Sequence, residues 1–227
     1  MMWVRSIFYA LLFFPGTAVF SALGLAASMF GTRPMRSVVR GWALFNHWCV
    51  RNVLGIQIRV KGDVPPGPAL IAVKHQSMFE TVEMVLIAKT PVMVMKRELA
   101  DMPLFGQMTR CYGIIPVDRD AGAKALREML TLGRQAVDGG RPIVIYPEGT
   151  RVPPGETPPL RPGFAGLYRG LGVPVIPVAL DSGRVWGKGL LKKRGTITFV
   201  VGDAVPPGLK RDEVERRVHA AINMLEG

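Results

Sequence analysis

From Ser6 to Phe30 the chain carries no charged residue, and Phe, Leu, Ala and Val dominate the stretch. A helix of that length, rising ~1.5 Å per residue, reaches across a hydrocarbon core of roughly 30 Å. Arg5 precedes the segment and Arg33, Arg36 and Arg40 follow it. If it spans once, the positive-inside bias leaves the rest of the chain in the cytoplasm. Pro15-Gly16 sits mid-segment, where proline removes a backbone hydrogen bond and favours a kink or turn. A helical hairpin held in one leaflet is therefore the alternative to a span. The small residues Ala26-Ala27-Ser28 raise a third reading, a cleaved signal peptide, but the apolar run is longer than a usual signal core. The length and charge rules favour an anchor at the cell membrane, with the remaining chain on the cytoplasmic side.

Beyond it, Trp42 to Leu54 interleaves Trp42, Phe45, Trp48, Val50 and Leu54 with arginines, and 33–61 holds six basic residues and no acidic one. That composition suits an interfacial helix at headgroup level, and equally a partly buried helix of the following domain. Residues 1–54 read as anchoring and interfacial helices, and 55–227 as a single α/β domain.

The second part changes character. Ile56–Val60, Ala69–Val73, Val92–Met95, Ile114–Val117, Ile143–Tyr146, Val175–Leu180 and Ile197–Val201 are short apolar runs of the kind that form buried strands. Between them, Ala121–Val137 shows a helical apolar face with Asp120 as the expected cap, and Arg211–Leu225 repeats the pattern. Strands alternating with helices predict an α/β fold: a mostly parallel central sheet flanked by helices, preceded by the hydrophobic membrane-anchoring helical segment. Pro153–Pro159 reads as a mobile proline-rich loop.

The chain has 29 Lys and Arg against 17 Asp and Glu, a formal net charge of +12, and its mean hydropathy is positive. A basic, apolar chain points to a phospholipid surface or to anionic substrates. Nucleic acid is the rival partner. No zinc-finger spacing, RNA-binding aromatic signature or long basic arm supports it. Cys49 and Cys111 form no CxxC and have no histidine at metal spacing, so no metal site is expected and both read as buried small hydrophobes.

Four short blocks carry chemistry-bearing residues. His75 follows the apolar run Ala69–Val73 with one residue, Lys74, between them, at the carboxyl end of a strand where open α/β sheets place their sites. If a helix starts near Gln76, one turn brings Glu80 back to the imidazole, and a carboxylate on one ring nitrogen leaves the other free to take a proton. Lys96 and Arg97 follow another strand and could hold phosphate, and Pro103-Leu104-Phe105-Gly106 beyond them could line an acyl groove. Tyr146-Pro147-Glu148-Gly149-Thr150-Arg151 follows a third strand. Backbone N–H groups, a hydroxyl and a guanidinium in one tight turn suit a phosphate monoester. The fourth, Val173–Val178, contains Pro174 and Pro177, which suggests an edge strand or a rigid substrate wall.

In identity and order these blocks resemble the glycerolipid acyltransferase superfamily, and within it the 1-acyl-sn-glycerol-3-phosphate acyltransferases: His-x4-Asp, a Lys/Arg block ending in Pro-x-x-Gly, Glu-Gly-Thr-Arg, then a proline-rich strand. The resemblance spans roughly residues 55 to 200. It implies transfer of an acyl group from acyl-CoA or acyl-carrier protein to lysophosphatidic acid, giving phosphatidic acid, without metal or cofactor. His75 and Glu80 would be catalytic. Glu148, Gly149, Thr150 and Arg151, assisted by Lys96 or Arg97, would bind phosphate. The family aspartate is here Glu80, one methylene longer. Another lysolipid such as lyso-ornithine lipid, or a non-catalytic lipid-binding role, are the alternatives.

Overall fold

The computed structural model describes residues 2–118 and 121–226. All seven apolar runs read as strands are strands: β1 (Ile56–Lys61), β2 (Leu70–Val73), β3 (Val92–Lys96), β4 (Ile115–Val117), β5 (Ile143–Ile145), β6 (Val175–Leu180) and β7 (Gly195–Val201). They form one sheet in the order β1-β7-β6-β2-β5-β3-β4, parallel throughout except where β6 meets β7. Successive side chains of a strand point to opposite faces, and the cores follow that alternation. Leu70, Ala72, Ile143 and Ile145 pack with residues of α6 (Gly122–Asp138), α7 (Pro162–Leu171) and α8 (Arg211–Ile222). Ile71, Val73, Val144 and Ile176 pack on the other side with α1 (Met2–Ser28), α2 (Thr32–Cys49) and α3 (Phe79–Ile87). Burial on both faces is why the strands read as unbroken apolar runs. The expected cap Asp120 lies outside the described residues.

The N-terminal segment departs from the expected break. α1 runs straight through Pro15-Gly16, and the chain reverses at 29–31 instead, where Gly31 has φ 109°. The hairpin thus pairs α1 with α2. Gly16 serves contact rather than turning: a Cβ there would strike the Phe45 ring of α2. Polar groups of α1 face inward. The Tyr9 hydroxyl donates to Asn46 Oδ1 (2.8 Å), Trp42 Nε1–H donates to Thr17 Oγ1 (3.0 Å), and Ser6 Oγ accepts from the Lys192 N–H (2.9 Å). Outward, Trp3, Val4, Ile7, Phe8, Leu11, Phe14, Val19 and Leu23 are exposed. α2 is a partly buried helix of the fold, with Met35, Val39, Trp42, Ala43 and Cys49 buried while Leu44 and Trp48 stand exposed. His47 Nδ1 and Glu83 Oε1, 2.8 Å apart, tie α2 to α3.

Three expectations are corrected. Pro174 and Pro177 do not mark an edge, because β6 lies between β7 and β2. Pro177 fits an interior strand because its backbone edge faces the end of β7, where its carbonyl accepts from Gly202 N–H (2.9 Å) just beyond the ladder. Cys111 is exposed; only Cys49 is buried. The proline-rich loop is fastened rather than loose: Val152 N–H donates to the His75 carbonyl (2.7 Å) and Gly155 N–H to Glu226 Oε2 (2.6 Å).

The Pro-Leu-Phe-Gly block turns the chain from α4 (Arg97–Ala100) into α5 (Phe105–Tyr112). Leu104 takes φ 62°, and a Cβ on Gly106 would strike the Ala100 carbonyl oxygen. Backbone cannot yield as a side-chain tip can, so Gly106→Ala is expected to cost about 1–3 kcal/mol. Denaturant unfolding in detergent measures this, and unchanged stability would contradict the close approach.

Candidate active site

β2 ends at Val73, and Lys74-His75-Gln76-Ser77-Met78 crosses the carboxyl edge of the sheet before α3 begins at Phe79. The helix starts three residues later than the sequence suggested. Ser77 Oγ accepts from the Phe79 N–H (3.1 Å) and keeps 76–78 as a turn. The consequence is convergence on Glu80, which is fully buried. Its Oε1 accepts from His75 Nδ1–H (3.0 Å) and from the N–H groups of Gln76 and Ser77. Its Oε2 accepts from the hydroxyls of Ser77 and Ser182. Burial, the largest single influence, pushes the Glu80 carboxyl up. The hydrogen bond and charge of His75, with the Ser77 hydroxyl and N–H, outweigh it and hold the group below the usual carboxylate range. An ionised carboxylate only accepts, so the ring nitrogen facing it, Nδ1, is the one that donates, and Nε2 points away from Glu80. No hydrogen bond engages Nε2 among the described residues, and the side chain is 10% exposed.

Lys74, immediately before His75, is wholly buried inside the protein. Its ammonium donates to Glu148 Oε1 (2.7 Å), the Glu156 carbonyl (2.8 Å) and Asn223 Oδ1 (2.7 Å). The second oxygen of Glu148 accepts from the His75 N–H (3.1 Å). One ion pair thereby joins the His75 segment, the turn after β5, the proline-rich loop and the residues that follow α8. This narrows the expected phosphate role of Glu148, whose carboxylate is turned inward and occupied. Gly149 has φ 72°, a conformation glycine adopts freely, and leaves Thr150 and Arg151 exposed at the surface. The hydrogen bond from Val152 N–H to the His75 carbonyl seats Arg151 next to the histidine.

Lys96 and Arg97 stand at the same sheet edge, two strands from β2, with different partners. Lys96 pairs with Glu98 (2.6 Å) and Arg97 with Glu128 on α6 (2.7 Å). Arg97, Lys124, Arg127 and Glu128 help line an open depression of about 490 Å³ that contains none of the residues around His75. Phe105 packs edge-on against Trp42 of the hairpin, with ring centroids 6.0 Å apart, so the Pro103–Gly106 block borders the apolar helices. Pro177 lies within β6 and Pro174 immediately precedes it, where the Pro174 carbonyl accepts from Leu70 N–H (2.9 Å).

Sequence reasoning missed four groups around the histidine. Lys74 had a signal: a lysine closing a run buried on both faces must have partners. Ser182 had none, lying 105 positions from Ser77 and joined to it only by the fold (3.0 Å). Lys192 ammonium is pushed down by burial and then by the like charge of Arg151, and it sits 5.0 Å above the Trp186 ring. Tyr146 packs against His75 in a tilted contact, with centroids 4.2 Å apart and planes inclined by 32°.

Comparison with known proteins fits this arrangement. Residues 56–181 match the Acyltransferase family, and the chain belongs to that family. It is 36% identical over 173 residues to a 1-acyl-sn-glycerol-3-phosphate acyltransferase of Pseudomonas aeruginosa, covering 75% of this chain and 67% of that protein. A lyso-ornithine lipid O-acyltransferase of Rhizobium meliloti is 26% identical over 149 residues, covering 65% of this chain and 49% of that one. The chain thus spans from two thirds to about half the length of these relatives. The crystal structure of the LPA acyltransferase PlsC from Thermotoga maritima superposes with a TM-score of 0.79 at 18% identity, over 100% of this chain and 98% of that one. The fold is therefore shared along the whole chain, hairpin included.

The Lys74–Glu148 pair is open to a direct test. Removing one partner of a buried ion pair costs about 3–5 kcal/mol, because the other charge is left unpaired. Lys74→Met and Glu148→Gln are each expected to lose that much, and the double variant clearly less than their sum. Additive losses in a double-mutant cycle of unfolding free energies would contradict the pairing.

Proposed function

We propose that this protein is a 1-acylglycerol-3-phosphate O-acyltransferase, moving a fatty acyl group from acyl-CoA or acyl-carrier protein to the free hydroxyl of lysophosphatidic acid. The observation that carries the reading is the His75–Glu80 hydrogen bond, with Nε2 left unbonded beside the Arg151 segment. In this mechanism Nε2 takes the hydroxyl proton as the oxygen attacks the thioester carbonyl. The tetrahedral intermediate expels the thiolate, which recovers that proton from the imidazolium, leaving phosphatidic acid and free thiol. Glu80 stays ionised throughout and stabilises the imidazolium, as the aspartate does in a serine-protease triad. The substrate hydroxyl acts directly, so no enzyme ester is formed. The extra methylene of Glu80 is compatible with this, since the carboxylate still meets Nδ1 at 3.0 Å.

Arg151 offers a bidentate fork to the substrate phosphate. Thr150 and the Gly149 turn stand beside it, and the Lys192 charge is near enough to be felt by Arg151.

The hairpin supports an anchor in one leaflet. α1 meets the rest of the chain from Ser6 at one end to Gly24 at the other, where a Cβ would meet Met108 of α5 at 2.9 Å. A helix held along its length against the domain does not project across a bilayer. Its exposed apolar face offers itself to lipid instead. The protein would then work from the cytoplasmic side of the cell membrane, where both thioesters occur.

Purified protein in detergent, assayed with lysophosphatidic acid and each thioester, tests the reading. His75→Ala is expected to lower kcat by ~10²-fold or more, the scale of a general base, without unfolding. Arg151→Ala is expected to raise KM for the lysolipid at least several-fold. Wild-type turnover in the first variant would end the mechanism, and an unchanged KM in the second would remove the phosphate site. Acylation of lyso-ornithine lipid in place of lysophosphatidic acid would replace the acceptor.

A further inference from the structure

A single hydrogen bond does not fix an imidazole. The bond from His75 Nδ1 to Glu80 holds one nitrogen, yet the ring can still swing about that axis and carry Nε2 out of line. Something must hold the ring by its face. Tyr146 does so, with centroids 4.2 Å apart and planes inclined by 32°.

Its placement comes from the sheet. Ile145 is in register with Ala72 on the neighbouring parallel strand, so Tyr146 leaves β5 level with Val73, two residues short of His75. Alternation turns it to the same side as Val144, and it packs against the core that contains Phe79 and the hairpin. Its hydroxyl is buried and has no hydrogen-bond partner among the described residues. A tyrosine hydroxyl in such a place is unusual, and the contact made to His75 is that of the ring.

We propose that Tyr146 is the positioning residue for His75: its aromatic face fixes the imidazole plane that Glu80 leaves free, and it faces the imidazolium charge during proton transfer. The inference rests on the acyl-transfer reading above and adds a residue to it. Aromatic pairs favour stacked or tilted contact, and a cation over an aromatic face is attracted by the ring quadrupole. The charge is transient, so this attraction acts more on the transition state than on the ground state. The phenol remains neutral, because burial first and the Glu80 charge second push it well above its ordinary value. The ring therefore presents a neutral π face.

The test separates ring from hydroxyl and both from folding. Tyr146→Phe is expected to keep kcat within about two-fold. Tyr146→Leu is expected to lower kcat about ten-fold or more, the scale of a misaligned catalytic group, while KM for both substrates stays within about two-fold. Circular dichroism and thermal unfolding report whether the leucine variant folds; if it does not, Tyr146→Met, of similar reach, takes its place. Wild-type kcat in the non-aromatic variant would overturn the proposal, as would a loss confined to KM. Equal damage from Phe and Leu would overturn it too, by assigning the effect to the hydroxyl. A readout independent of turnover is the ring-current shift of the His75 carbon-bound protons in histidine-labelled protein. The shift should persist in Tyr146→Phe and disappear in Tyr146→Leu, and its persistence in Leu would sink the stack. If no lysolipid is acylated by wild-type protein, the acyl-transfer reading fails while this readout still decides the stack.

Discussion

A carboxylate with no solvent contact is stable only if both its oxygens are saturated, and the arrangement around Glu80 is organised by that need. Isolated, such a charge would be driven to protonate. Here its donors are the His75 ring, two backbone N–H groups of 76–77 and the hydroxyls of Ser77 and Ser182. These come from the turn after β2 and the turn after β6, on adjacent strands. The sheet must therefore be assembled before the carboxylate is satisfied, and the satisfied carboxylate in turn selects the histidine tautomer. Lys74 performs the complementary task with opposite sign, gathering Glu148, Glu156 and Asn223 behind the histidine backbone. Two buried ionic centres on successive sides of one short loop leave His75 little room to move.

The hairpin belongs to the same argument. Phe79, the first residue of α3, tilts against Trp186 at 5.3 Å, and Trp186 meets Tyr9 of α1 edge-on at 5.4 Å. Glu83, one turn beyond Glu80, is held by His47 of α2. The elements that would meet lipid thus touch the helix that carries the site carboxylate. A substrate that is itself a membrane lipid would need no path through water to reach such a site.

Much of this was legible from residues alone, for identifiable reasons. The strands were readable because each is buried on both faces and so lacks polar interruption. His75 and Glu80 were readable as partners because five positions across a strand-to-helix turn is a local relation. The hairpin was misplaced because Pro15-Gly16 signals a break in water, whereas a lipid-facing helix with neighbours tolerates proline, and here Gly16 makes helix contact. The prolines of 173–178 suggest an edge strand or a rigid wall because proline lacks a donor, and only the three-dimensional end of β7 shows that no donor is needed at Pro177. Glu148 was read as a ligand group because its neighbours are. Its inward turn depends on Lys74, 74 positions away. Ser182, Lys192 and the Tyr146 stack are likewise products of topology.

The central claim is that the buried Glu80 carboxylate dictates which imidazole nitrogen of His75 is free. Nitrogen-15 NMR of histidine-labelled protein at neutral pH, with His75 assigned by comparison with His75→Gln, reads the tautomer directly. The account requires the proton on Nδ1 in wild-type protein, and a mixture of tautomers once Glu80→Gln removes the charge. A proton on Nε2 of His75 in the wild type would contradict it.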